Sequence, residues 1–90
     1  MIDRHARPRL AGGVRLQADR VRGGYNLLAP EHVLRVNASS AAILTLCDGS
    51  RELGEIVELL AERYQTERSR IASDCLTLIE QLAARRVVET

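Results

Sequence analysis

Asp48-Gly49 separates two stretches of helical periodicity and forces the chain to turn between them. Glycine just past a helix is the usual left-handed stop. Before it, Ala42, Ile43, Leu46 and Cys47 form an apolar stripe on a helix over Ala38 to Cys47, with Asn37 placed as N-cap. After it, Leu53, Ile56, Val57, Leu60 and Tyr64 recur at spacings of three and four, while Glu55, Glu58 and Glu62 fall on the opposite face. A third helix is expected from Thr66 or Glu67 to about Arg85. Its main face is Ile71, Cys75, Leu78, Ile79 and Leu82. Ala72, Leu76 and Ala83 widen that face on one flank to an arc of roughly 160°, more than the ~100° needed to sit on one core. The extra flank is either more core or a partner-facing groove, and Leu76 stays open between the two.

The first third of the chain has a different period. Val14, Leu16 and Ala18 alternate with Arg15, Gln17 and Asp19, the pattern of a half-buried strand. Gly23-Gly24 supplies positive-φ positions for a reversal, and Tyr25 to Ala29 returns as a second strand. A third short strand follows over His32 to Val36, with His32, Leu34 and Val36 on one face and Val33 and Arg35 on the other. Val87-Val88 adds a short terminal strand. Residues 1–9 show no period, carry Pro8, and are expected as a flexible arm. Residues 10–90 are then one domain of class α+β. Three short antiparallel strands precede a three-helix bundle in a winged-helix-like arrangement.

Composition limits the chemistry. All thirteen cations are Arg, and Phe and Trp are absent, so the core must be aliphatic, with Tyr25 and Tyr64 the only rings. Residues 1–37 hold seven Arg against three acids, and residues 38–90 six Arg against nine. This asymmetry suits an acidic peptide or a charged partner surface, although a solvated mixed surface accounts for it equally well. Cys47 and Cys75 stand singly in apolar patterns and read as buried thiols. With only His5 and His32 beside them, no metal site is expected. There is no phosphate-binding glycine loop, and no nucleophile is paired with a base, so no cofactor and no catalytic residue is expected. No apolar run approaches a membrane span, and no signal-peptide pattern occurs, so the protein is read as cytoplasmic.

Several segments in order resemble the D proteins of pyrroloquinoline quinone biosynthesis, the PqqD family. They are Arg7-Pro8-Arg9-Leu10 with Gly13-Val14-Arg15-Leu16, then Leu27 to Glu31, then Ala42-Ile43-Leu44 with Leu46 to Gly49. Glu55-Ile56-Val57, Leu60-Ala61 and Tyr64 follow, and then Ile71, Asp74, Ile79 and Leu82. Each piece is weak alone, but together they span about residues 7 to 88. The resemblance implies a protein without catalytic activity. It implies binding of the ribosomally made precursor peptide PqqA and its presentation to the radical S-adenosylmethionine enzyme PqqE. Relatives take the peptide as an added strand on the third strand, in a groove closed by the third helix. Carried onto this chain, the expected peptide-binding residues are His32, Val33, Leu34, Arg35 and Val36 on the strand, with Ala72, Cys75, Leu76 and Ile79 on the helix. Arg15, Arg22 and Arg35 are the cations expected to help capture an acidic peptide. One departure stands out. The family often has Thr or Ser before its second helix, whereas this chain has Glu52 there and Gly54 in the first turn, so the N-cap is expected to be lost.

Two other readings are kept open: a leader-recognition domain for another modified peptide, and a winged-helix DNA-binding protein. The second needs a basic exposed helix face. The outward face of the third helix offers Arg70, Ser73, Asp74, Thr77, Glu80 and Gln81, which is nearly neutral. The sheet edge and the arm also leave a homodimer open.

Overall fold

The computed structural model describes residues 3–90. Its elements are β1 (Arg9–Leu10), β2 (Arg15–Ala18), β3 (Tyr25–Leu28), β4 (Val33–Val36), α1 (Ala38–Thr45), α2 (Leu53–Tyr64), α3 (Arg68–Ala84) and β5 (Val88–Glu89). This is the expected order of antiparallel strands followed by three helices.

β2, β3 and β4 form a meander in which β3 is central. The register aligns Leu16 with Leu27 and Leu27 with Leu34, so one row of Leu faces inward across all three strands. Leu27 is fully buried. The alternation read from the sequence holds on β4, where Leu34 and Val36 are half-buried and Val33 and Arg35 are exposed. Cross-strand rows of this kind fix the register, because a slip by one residue turns the apolar set outward.

The helices complete the core. The Asn37 side chain accepts from the Ser40 N–H at 2.8 Å, so the sequence-predicted cap is in place. α1 ends at Thr45, two residues before the expected stop. The Leu46 and Cys47 N–H groups reach back to Ile43 and Leu44 in tighter three-residue turns, which draw in the helix end. Gly49 then takes the left-handed conformation at φ 82°. Ile43, Leu44, Ile56, Leu60, Cys75, Ile79 and Leu82 pack with Leu27 and Val87 into one aliphatic core. Cys47 and Cys75 are free and buried within it. Burial pushes their thiols up, to about 12 and about 11 respectively, so they act as packing groups.

Residues 3–9 differ from the expected free arm. They run along the body, and Pro8 is fully buried. The carbonyl of Ala6 accepts from the Leu53 N–H at 2.8 Å, and that of Arg4 from the Gly54 N–H at 2.9 Å. These are two of the donors that the first turn of a helix leaves without partners. The Glu55 carboxylate accepts from the Glu52 N–H at 3.0 Å. The start of α2 is therefore capped, and the expectation of a lost cap is corrected: backbone carbonyls of the arm do the work of a Ser or Thr side chain. The arm lies close over Gly54, where a Cβ would meet Arg4 atoms at 3.4–3.5 Å, an ordinary contact. Beyond the arm, β1 pairs with β5, Arg9 opposite Glu89 and Leu10 opposite Val88. β5 contains the predicted terminal strand in part; β1 was not foreseen.

Candidate functional site

β4 is an edge strand, hydrogen-bonded to β3 alone among the described strands. The Ala29 N–H donates to the His32 carbonyl at 2.9 Å. In an antiparallel ladder, bonded pairs alternate with non-bonded ones. The bonded pairs are then Leu27–Leu34 and Tyr25–Val36, so the peptide groups of Val33 and Arg35 point away from β3. They form the free rim of the sheet.

Beside this rim lies a groove of about 590 Å³ shared by β4, the start of α1 and the C-terminal half of α3. Leu34, Val36, Leu78 and Leu82 give it apolar surface, and Asn37, Ser40, Gln81 and Arg85 give it polar surface. The strand half of the expected site, Val33 to Val36, is thus an exposed edge bordering a groove. His32 lies just before it, in a neighbouring hollow with Pro30, Arg85 and Arg86.

The helix half of the expected site is placed elsewhere. Cys75 and Ile79 are fully buried core residues with no surface to offer. Ala72 and Leu76 line a separate cavity of about 300 Å³ with Arg4, Leu53, Val57 and Arg68, between α2 and α3. The reason is helical geometry. Leu76 and Leu78 are two residues apart, roughly 200° around the axis, and so lie on opposite flanks of α3. The flank that turns to β4 carries Leu78, Gln81 and Arg85. Asp74 continues the same stripe toward α1, where it shares a hollow with Ala38 and Ser39. The sequence pattern placed Leu78 on the main apolar face, and Gln81 and Arg85 beside it gave no apolar signal.

Arg35 is also corrected as a free cation for peptide capture. Its guanidinium donates to Asp19 Oδ2 at 2.9 Å and to the Gly23 carbonyl. Asp19 Oδ1 accepts from the Val21 and Arg22 N–H groups at 3.0 Å each, and Oδ2 also accepts from the Asn26 amide at 3.3 Å. One carboxylate thus joins the β2–β3 loop, β3 and β4 on the outer face of the sheet. Gly24 leaves room for this: at φ +74° it has no side chain, and a Cβ would meet an Arg35 nitrogen at 2.8 Å. The sequence offered no signal for this staple beyond an acid in a hairpin loop.

The staple makes a pH prediction. The N–H groups of Arg22 and then Val21, more than the side-chain hydrogen bonds from Asn26 and Arg35, hold the Asp19 carboxyl at about 2, below its ordinary 3.8. A carboxylate with a lowered pKa stabilises the fold above its ordinary value, and the contribution is lost as pH falls through the folded value. The Val21 and Arg22 amide resonances should therefore titrate with a midpoint near 2. A midpoint at 3.8 would show that the staple does not form.

Among the described residues, no group of three or more His, Cys, Asp or Glu side chains is arranged to hold a metal ion. No helix among the described residues is long and apolar enough to cross a membrane. The surface features that stand out are an open strand edge and the groove beside it.

Known proteins are similar to this chain in sequence and fold. The family described as coenzyme PQQ synthesis protein D (PqqD) matches residues 24–88. A PqqA binding protein of Xanthomonas euvesicatoria pv. vesicatoria (strain 85-10) is 36% identical over 87 residues, covering 97% of this chain and 95% of that protein. A PqqA binding protein of Rhizobium meliloti (strain 1021) is 41% identical over 81 residues, covering 90% and 83%. The solution structure of the PqqD part of Methylobacterium extorquens PqqCD is described as a functional, stand-alone recognition element for ribosomally synthesized and post-translationally modified peptides. It superposes with a TM-score of 0.89 at 34% identity, over 100% of this chain and 96% of that one. The family match takes in β3, β4, all three helices and the first residue of β5, which together contain the strand edge and the groove, and the chain belongs to the PqqD family.

Proposed function

We propose that this protein binds the precursor peptide PqqA as an added strand on β4 and presents it to the radical S-adenosylmethionine enzyme PqqE, with no chemistry of its own. The observation that carries this reading is the free rim of β4 beside a groove with aliphatic surface. An edge strand with unpaired peptide groups is a template for another strand. Val33 and Arg35 between them offer four ladder bonds, each worth ~1 kcal/mol net. Two or three aliphatic peptide side chains on Leu34, Val36, Leu78 and Leu82 add ~1.5–3 kcal/mol each. Association and ordering costs remove much of this sum. The balance is near micromolar affinity, about −8 kcal/mol. Duplex DNA is the poorer ligand, because the outward face of α3 carries Asp74 and Glu80 against the single Arg70, a net negative charge that repels phosphates.

The test removes one rim donor. Val33 is exposed, and its N–H faces away from β3, so proline there is compatible with the sheet. Val33→Pro should keep the melting temperature within a few degrees. It should weaken binding of a synthetic PqqA peptide about tenfold, through one lost bond and the ring crowding the incoming strand. In the wild type, amide shifts on titration should cluster at residues 33–36, Leu78 and Gln81. Unchanged affinity in the proline variant, or shifts confined to the Glu55–Glu62 face, would overturn strand addition on β4.

A further inference from the structure

We infer that the groove reads a carboxylate in its peptide, through Arg85 and Arg86 at the end next to His32. This rests on the strand-addition reading and names the class of peptide it takes: an aliphatic segment with an acidic residue at one end.

The groove is electrically uneven. Arg85 lines both the groove and the adjoining hollow of His32, and Arg86 lines that hollow too. At the opposite end, beyond Asn37 and Ser40, Asp74 shares the next hollow with Arg70. A peptide lying along β4 therefore meets two guanidiniums at one end and a carboxylate offset by one guanidinium past the other. Among the described residues, Arg85 and Arg86 are, like seven other arginines, in no ion pair and so have their guanidiniums available to a ligand. Glu31 shares the hollow without bonding to either.

Arg86 adds a second observation. It stands at φ 63°, in the left-handed region just past the end of α3. Its N–H donates to the Ala83 carbonyl at 3.0 Å, and the next N–H, of Val87, to Leu82 at 3.1 Å. This is the position in a helix stop where glycine is favoured and a side chain is strained. Placing arginine there brings a second cation to the groove end at a cost in backbone conformation. A simpler account is that both cations offset the negative end of the α3 dipole. The two accounts part on binding, since a dipole partner confers no preference among peptides.

Arg86→Gly separates folding from recognition, because glycine relieves the left-handed backbone while it removes the cation. We expect R86G to melt at or above the wild-type temperature. It should bind synthetic PqqA peptide about fivefold more weakly, the upper range for an exposed ion pair, and Arg85→Gln should do the same. A series of PqqA peptides, each with one Asp or Glu changed to its amide, should contain one that binds wild type about fivefold more weakly and binds the R85Q/R86G protein no worse than the parent peptide does. If wild type and R85Q/R86G bind the parent peptide equally, or if no single amide change is coupled to the two arginines, carboxylate reading is wrong while strand addition stands, provided amides 33–36 still shift. If those amides do not shift, both readings fail together.

Discussion

Leu78→Asp should weaken binding of the PqqA peptide at least thirtyfold in a protein that still folds. Leu78 is half-buried and lines the groove, so its outer surface is what a peptide side chain would cover. Losing that contact removes ~2 kcal/mol, the lower range for one buried aliphatic side chain. That alone is about thirtyfold. An aspartate there would in addition have to shed water beneath the peptide with no cation bonded to it. Leu76→Asp is the control. Leu76 lies two residues earlier, in the cavity between α2 and α3, on the other flank. Its substitution should lower the melting temperature through lost contact with Leu53 and Val57 and leave affinity within twofold. Calorimetry on the two variants decides between the flanks. Loss of binding in L76D with retention in L78D would restore the helix site expected from sequence and reject the one assigned from the structure.

Removal of residues 1–8 should destabilise the domain by ~3 kcal/mol. The segment supplies three backbone acceptors, Arg4 and Ala6 for the start of α2 and Pro8 for the Gly49 N–H at 3.0 Å. Each such bond contributes ~1 kcal/mol net. The His5–Glu52 contact, at 2.6 Å but mostly exposed on the His side, adds little. For a domain of this size, ~3 kcal/mol lowers the melting temperature by roughly 12–24 °C. The deletion lies at α2, away from the β4 groove. Peptide affinity measured well below both transitions should stay within twofold. A shortened protein that melts within 3 °C of the full chain, a shift worth ~1 kcal/mol or less, would show that the arm does not cap α2.

The elements that were legible in the sequence are those with a period of their own. β2, β3 and β4 announce themselves by alternation around Gly23-Gly24, and α1 to α3 by stripes at three and four. β1 has two residues, too few for a period, and its partner lies 80 residues away. The cap of α2 was hidden for a different reason: carbonyl oxygens have no sequence signature, so an arm that works through its backbone looks featureless. Half of the candidate site was readable because an edge strand is a local property. The helix residues expected beside it do not border β4, because a helical wheel gives two flanks and does not say which one turns to the sheet. That is set by the crossing of α3 over the sheet, which appears only in three dimensions. Arg35 looked like a free cation because its partner Asp19 lies sixteen positions away, in the β2–β3 loop.

The pairing of β1 with β5 separates two properties of this domain. The strand edge at β4 is assembled from neighbours in sequence, residues 15 to 36, by two short reversals. The closing pair instead joins positions 9 and 89, the longest loop in the fold. Loop closure of this length slows folding more than it changes equilibrium stability. The β4 edge therefore rests on local pairings, while the β1–β5 pair depends on closing the longest loop. A unit that enters and leaves its own fold on adjacent strands also needs only one point of attachment in a longer polypeptide. Such a unit is portable: it can be grafted onto a modifying enzyme or left separate without altering the surface that selects the peptide.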